Sequence, residues 1–545
     1  MFVQITKSGR GPKTYLSYLV RESFRTSKGP RSRTVCNITG LPPELREIIA
    51  ASLQGRTCLI AEHFQLNSAL DFGGLAVLAD AWKAFELDRL LAPIRNPRQR
   101  GLIQAMIFSR LLFPCAKLAL AQRARGTLLP QACGLEAGES FDEDDLYQAM
   151  DQFNGRWVPM EKQLFKNAFP QGVSLVLYDL TSVYFEGSGP EHLGKYGHSR
   201  DHRSDRPQMI LAVATDGQGL PIHLQVLRGN RADMKTLHGL LSSLRRRFGI
   251  KEATFVFDGG MSSRLNLAEL SAEQLHYVTR LSMSTLKSVL DKQPEDSQLE
   301  LADRNKILEL EHQGKRYVLA GGSWRQQRDQ ERRDVRIKKA QARLALLAQA
   351  RRKKPTSPRA MQKLASQAGR MLERLKAHKY FTYEVNEQGE LIWALKNELI
   401  QAEQRMDGWY LLHTNHNAQD CSSQQVLAHY KGLLDVEEAF CELKSYLEVR
   451  PVFHWRPDRV RNHVRICFLA YWLSARLSRQ WRALGEKGEV PRILRELQTI
   501  RIGQFKITEK EIRSGLTQVP KDLNALLEKL GLLELFGAPP AWAGL

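Results

Sequence analysis

The sequence predicts an α/β fold: a mixed β-sheet carrying acids on its strands, interrupted by a long insertion and completed by a helix with a further acid. Three observations predict it. Ser174–Thr181 reads SLVLYDLT, an apolar, β-favouring run with Asp179 embedded in it. Thr254–Gly260 reads TFVFDGG, a short strand pattern with Asp258 at its end and two glycines after it. Tyr430–Lys444 reads YKGLLDVEEAFCELK, a continuous helix pattern without Gly or Pro after Gly432. Leu433, Val436, Phe440, Leu443 and Leu447 repeat there at the helical period and supply a core face. Tyr430, Glu437 and Lys444 stand seven residues apart. At roughly 100° per residue, such a step returns to within about 20° of its start, so the three are expected on one stripe.

The other elements follow in chain order. The first 33 residues hold eight Lys/Arg against Glu22 alone, in strand-like alternation. Residues 1–95 are therefore expected to be a basic N-terminal region, either a DNA-contacting β-ribbon or an ordinary basic subdomain. Residues 96–170 read as helices, with Pro114 ending one and Phe141–Asp144 starting another. The first part of the core, 171–282, begins with strand Leu175–Thr181 and a basic loop, Lys195–Arg206. Strand Met209–Thr215 then turns through Asp216–Gly219 into strand Pro221–Leu227. Asn230 or Asp233 is expected to cap a helix running to about Phe248. Strands Thr254–Phe257 and His276–Arg280 complete five. The order β-β-β-α-β-β, followed after an insertion (283–425) by the helix of segment 426–480, is an RNase H-like arrangement. A helical tail, 481–545, contains the apolar run Leu523–Leu535.

Within the insertion, Lys306–Leu319 reads as two strands around Gln313-Gly314, and Lys379–Val385, Glu390–Leu395 and Trp409–His413 as three more. Between them, residues 325–379 hold 18 Lys/Arg against four acids, in two helix patterns around the break Pro355-Thr-Ser-Pro358. Ile337, Ala340, Leu344 and Leu347 would face Met361, Leu364, Ala368, Met371 and Leu375 in a helical hairpin. A solvated charged face is the plain reading. So dense a share of the chain's basic charge points instead to the DNA backbone.

Composition agrees. The 545 residues carry a formal charge of +21 with 43% hydrophobic content, which indicates sizeable cores and a polyanionic partner. An anionic membrane is the competing partner, but no apolar run of about 18 residues occurs, and Met1–Arg10 does not read as a signal peptide. Seven scattered cysteines without a Cys-x-x-Cys pair argue against zinc and disulfides and for a reducing cytoplasm.

A carboxylate inside or at the end of a buried strand is costly unless its charge is compensated. Two strand carboxylates and one helix carboxylate suit hard divalent cations, which take oxygen ligands. Taken singly, Asp258 starting a turn, Asp179 capping a neighbour and Glu437 lying on a surface helix are plainer readings; together the three point to a site.

In these motifs the chain resembles the bacterial insertion-sequence transposases of the Asp-Asp-Glu (DDE) type, in the branch marked Tyr-x2-Arg-x3-Glu-x6-Lys. Tyr430, Glu437 and Lys444 are in register, and Leu433 stands where the pattern has arginine. YDLTSVYFEG carries Asp179 and FDGGMSS carries Asp258. Further similarity lies in KYGHSRDHRSDRPQM (Lys195–Met209), GNRADMKT (Gly229–Thr236), YVTRL (Tyr277–Leu281) and Arg450–Leu473.

The resemblance implies an RNase H-like, retroviral-integrase-like core and a transposase that binds terminal inverted repeats, cleaves the element ends and joins them to target DNA. It implies Asp179, Asp258 and Glu437 as catalytic ligands of two Mg²⁺ ions, with Mn²⁺ as a substitute. Tyr430, Lys444 and Arg280 would contact DNA, joined by Lys195, Arg200 and Arg203 of the basic loop. Trp393 or Trp409 would stack on a displaced base, unless they are core residues. The partners implied are double-stranded DNA, at element ends and target, and a second copy in a synaptic homodimer; the location implied is the cytoplasm, on the nucleoid. Two other functions use the same residues: an RNase H-like nuclease without joining, and a non-catalytic, transposase-derived DNA-binding repressor.

Overall fold

A computed structural model of the chain describes residues 1–9, 15–56, 65–136, 138–290, 305–351, 357–508 and 511–544. Its contacts group into two compact units: Met1–Ala76 with Gly126–Leu128 and Glu496–Leu545, and Val77–Arg125 with Leu129–Arg495.

In the first unit, β1 (Phe2–Ser8), β2 (Tyr15–Thr26) and β3 (Gly29–Asn37) form an antiparallel sheet, as the alternating basic N-terminus suggested. A second sheet pairs β4 (Gln65–Asp71) with β15 (Arg501–Thr508), which pairs in turn with β16 (Glu511–Leu516). Phe72, wholly buried, ends β4 against the rings of Phe536 and Trp542. The expected helix Leu523–Leu535 is two helices, Lys521–Lys529 and Leu533–Gly537. Gly531, at φ +70°, takes the left-handed conformation that ends the first.

The second unit is built on one large sheet. Its strands are β5 (Leu175–Tyr184), β6 (Gln208–Thr215), β7 (Pro221–Arg228), β8 (Thr254–Phe257), β9 (His276–Arg280), β10 (Leu308–His312), β11 (Lys315–Ala320) and, after the hairpin β12 (Phe381–Val385) and β13 (Leu391–Leu395), β14 (Tyr410–Thr414). The spatial order is β10-β11-β14-β9-β8-β5-β6-β7. The β5/β8 and β8/β9 pairs are parallel and the rest antiparallel. Parallel neighbours need crossovers, which helices Leu237–Phe248 and Arg264–Ala272 provide. Every residue of β6 and β8 is buried, so their continuous apolar runs reflect cover on both faces.

Three strands from the 283–425 segment extend this sheet instead of standing apart from it. β14 pairs with β9, Leu412 opposite Arg280, and so covers a strand whose edge would otherwise be open. Gln313 and Gly314, both at positive φ, make the tight turn between β10 and β11. Helices Ser323–Arg351 and Pro358–Arg374 pack Ile337, Ala340 and Leu344 against Leu364, Ala368 and Leu372, with the β12–β13 hairpin completing this small core. Residues 352–356 of the break between them lie outside the described residues.

Helix Pro97–Leu112 ends just before the expected Pro114, and Asp142 forms a capping box with Asp145 at the helix expected near Phe141–Asp144. No single helix among the described residues is long and apolar enough to cross a membrane.

Candidate active site

Parallel pairing places the two aspartates. Tyr178 of β5 lies opposite Phe257 of β8, and Asp179 and Asp258 are the next residue on each strand. Gly259 follows because a Cβ there would stand 2.6 Å from the Arg280 carbonyl oxygen; the close approach fixes Asp258 beside the end of β9. Leu177 and Asp179 project from the same face of β5, two residues apart. A Cβ on Gly432 would come 3.3 Å from Leu177 Cδ1, so the segment carrying Glu437 packs on the face that carries Asp179.

Electrostatics link the three acids. Burial pushes the Asp179 carboxyl up to about 6, and the charges of Asp258 and Glu437 push it the same way. The Leu180 N–H and the Arg200 guanidinium oppose the shift. Asp179 is half-buried, whereas Asp258 and Glu437 are exposed. Converging carboxylates, one of them partly desolvated, have the donor chemistry and the unbalanced negative charge that suit a hard cation. As they stand, no three Asp, Glu, His or Cys side chains among the described residues close into a ligand set.

The helix differs from its sequence pattern. Tyr430 belongs to helix Ser423–Lys431, Glu437 to helix Leu433–Cys441, and Lys444 to a π-helical turn, Glu442–Tyr446. The first helix caps at Gly432, and the π turn adds a residue per turn, so a constant 100° step does not carry through from Tyr430 to Lys444. The single stripe is thereby broken: Lys444 faces the basic loop, where its Nζ donates to Asp201 Oδ1 at 2.8 Å.

Residues 170–473, more than half of the chain, match the sequence model of the family described as the transposase DDE domain. The chain belongs to this family. In structure it is similar to a piggyBac transposase in a synaptic complex with hairpin DNA, at 9% identity over 78% of this chain and 80% of that one, with a TM-score of 0.38. It is also similar to the Mos1 transposase in a paired-end complex with the left transposon end, at 14% identity over 35% and 56% of the two chains, with a TM-score of 0.15. No curated protein matches its sequence.

Tyr430 and Arg280 stand on the Asp258 side of the three acids. Burial pushes the Tyr430 hydroxyl up to about 12, with Asp258 adding to the shift and Arg280 opposing it. Of the basic-loop residues, Arg200 comes nearest: its guanidinium pairs with Asp233 at 2.9 Å and its N–H donates to Ser182 Oγ at 2.7 Å. Asp233 is thus an ion-pair partner and makes no side-chain cap. Arg203 is neutralised by Asp205 and lies over the Tyr184 ring, away from the acids. Lys195 exchanges two backbone hydrogen bonds with Gln208, which staples the loop to the start of β6.

Beyond Arg280 opens a groove of about 410 Å³. Arg325, Arg328, Arg332 and Arg336 line it from one face of helix Ser323–Arg351, at the i, i+3, i+7 and i+11 spacing that puts side chains on one side. Arg325 stacks over Tyr410, whose ring lies 5.8 Å from that of Tyr430. Arg333 lines the groove too, but a buried, two-bonded pair with Asp407 holds its charge. The basic composition of 325–379 flagged this helix, and the spacing within it was the signal for the aimed stripe. Asp201 and Arg450 lie in the similar segments Lys195–Met209 and Arg450–Leu473, but only the fold joins them to Lys444 as one charge cluster.

The tryptophans expected to stack on a base do not face the groove freely. Trp409 is 1% exposed at the head of a central strand, and Trp393 packs on Phe381 in the core of the helical hairpin. Both strands are covered on the face these rings occupy.

Proposed function

We propose that this chain is the DDE transposase of a bacterial insertion sequence, which binds terminal inverted repeats, cleaves DNA at the element ends and joins the 3′ ends to target DNA. The observation that carries the reading is the electrostatic coupling of Asp179 to Asp258 and Glu437, which, with burial, raise its carboxyl. Family membership supports it. The order β7-β6-β5-β8-β9, with β5 central, Asp179 within it and Asp258 just past the end of β8, supports an RNase H-like core.

Asp179, Asp258 and Glu437 would hold the divalent cations, two Mg²⁺ per site with Mn²⁺ as a substitute. Such ions activate an attacking oxygen, water or 3′-hydroxyl, and stabilise the leaving oxygen. The chain's own residues do the rest. Arg280 and the Arg325–Arg336 face lead the duplex backbone to the acids, with Tyr430 beside Asp258 to position the strand. Arg200, already drawn to Asp179, moderates its charge before DNA arrives. Lys444 exchanges Asp201 for a phosphate near the scissile bond. Joining two ends in one event needs two such sites, and a synaptic homodimer on paired ends supplies them. An enzyme of this kind works on the nucleoid, in the cytoplasm.

The test is incubation of the purified protein with Mg²⁺, a labelled element-end duplex and a target plasmid. Cleaved ends joined to the plasmid are expected. Cleavage without joining identifies a nuclease, and binding without cleavage a repressor. Light scattering with a short end duplex is expected to give a complex of two proteins and two duplexes; a one-to-one complex that still joins two ends together overturns the dimer.

A further inference from the structure

A second, smaller cavity, lined by none of the three acids, has a volume of about 150 Å³, with room for a phosphate group and several waters. Helices Pro97–Leu112 and Lys117–Ala124 supply Arg110 and Lys117, segment 448–454 supplies Arg450 and His454, and helix Pro457–Ala483 supplies His463. Arg110 and Lys117 are each 6% exposed. Among the described residues neither forms an ion pair; Arg110 donates to the carbonyls of Leu447 and Glu448. The one acid lining the cavity, Glu448, is exposed.

The histidines define which way Lys117 donates. His463 Nε2 lies 3.2 Å from the Val449 carbonyl, which only accepts, so Nε2 carries the proton and Nδ1 is free to accept. Lys117 Nζ lies 3.1 Å from that Nδ1 and 3.5 Å from His454 Nε2. Two neutral rings thus take two of the three ammonium donors, and one remains. Burial, with Arg110 beside it, pushes Lys117 down to about 7, the behaviour of a cation short of a counter-charge.

The cavity is tied to the acid-bearing strand. Glu186 N donates to Val452 O, and Val452 N to Tyr184 O, so segment 450–454 runs alongside the end of β5. Arg450, which lines the cavity, stands 3.6 Å from Asp201, the partner of Lys444. Phe453 at the cavity and Trp455 beyond it are 67% and 76% exposed, so the rim is an open aromatic surface of the kind on which bases stack.

We propose that this cavity is an oxyanion site in which Lys117, Arg110 and Arg450 seat a backbone phosphate of bound DNA other than the scissile one. The assignment rests on the transposase reading above. A free phosphate ion shares the same chemistry, and the experiment separates the two sources. Binding of a labelled duplex is measured against salt, and melting with and without inorganic phosphate, for the full chain and for Lys117→Met, Lys117→Arg and Phe453→Glu.

Lys117→Met is expected to weaken duplex binding roughly 10-fold and to flatten the log K against log salt slope by about 0.9. Lys117→Arg should keep the slope, and inorganic phosphate should raise the melting temperature of the wild type but not of Lys117→Met. Phe453→Glu places a carboxylate at the open rim without disturbing the core, so it keeps the test alive where Lys117→Met fails to fold; it too should weaken the duplex. Phosphate stabilisation with unchanged duplex binding in both variants means a free-ion site and overturns the DNA assignment. Unchanged binding and no phosphate effect overturn the site altogether, with the transposase reading intact. A wild-type chain that binds no duplex overturns that reading itself.

Discussion

The two aspartates and the glutamate proposed to share one site are positioned by different physical routes. Asp179 lies within β5 and Asp258 just past the end of β8, each the next residue after the last parallel pair, Tyr178 opposite Phe257, so a ladder of hydrogen bonds fixes their spacing. Glu437 sits on a short helix between a break at Gly432 and a π turn, and its position depends on packing against Leu177. A strand carboxylate is thus placed by register, which is all-or-none because a one-residue slip reverses every side chain. A helix carboxylate is placed by the phase and length of its segment, which local irregularity can retune.

The sharpest way to break this comparison is to remove each acid. Asp179→Asn, Asp258→Asn and Glu437→Gln are each expected to lower cleavage by more than the roughly 100-fold upper range for outer-shell partners of a metal, with duplex binding retained. Glu438→Gln, exposed and about 100° around the helix, should cleave as the wild type does. Full activity in any of the first three removes that residue from the triad.

A second experiment separates Asp179 from its exposed partners. Its folded pKa of about 6 lies above the ordinary 3.8, so between those values the folded chain binds more protons than the unfolded one. Stability therefore falls as pH rises from about 4 to about 6, and the deficit persists above. Asp179→Asn should be more stable than the wild type at pH 7.5 without divalent cation, by roughly 3 kcal/mol, with the gap closing toward pH 4. Mg²⁺ should raise the wild type's melting temperature and not the variant's. A pH-independent gap means the carboxylate is not strained by its surroundings.

The arginine face is the next test. Replacing Arg328, Arg332 and Arg336 with Ala should flatten the salt slope by up to about 0.9 for each phosphate left without its arginine, and weaken end and random duplexes alike. An unchanged slope leaves the stripe a solvated face. The smallest effect is expected at Gly432→Ala. Its φ of −58° is open to any residue, and a Cβ would stand 3.1 Å from the His429 carbonyl oxygen and 3.3 Å from Leu177 Cδ1, so these neighbours would have to give by only a few tenths of an ångström. Melting should shift by less than about 1 kcal/mol; a large loss would make the helix break itself a requirement of the site.

Sequence alone determined what rests on local periodicity and turn chemistry. The strands holding Asp179 and Asp258, the Asp216–Gly219 turn, the Gln313-Gly314 hairpin and the two basic helices were all legible, because each is specified by a pattern of neighbouring residues. The tertiary structure decided what depends on residues far apart in the chain. It joined β14 to β9 across some 130 residues, turned Trp409 into core, broke the Tyr430–Lys444 stripe and handed Lys444 to Asp201. Each of these is set by which surfaces remain to be covered or which charge remains to be paired once the chain has folded, and no local pattern records that.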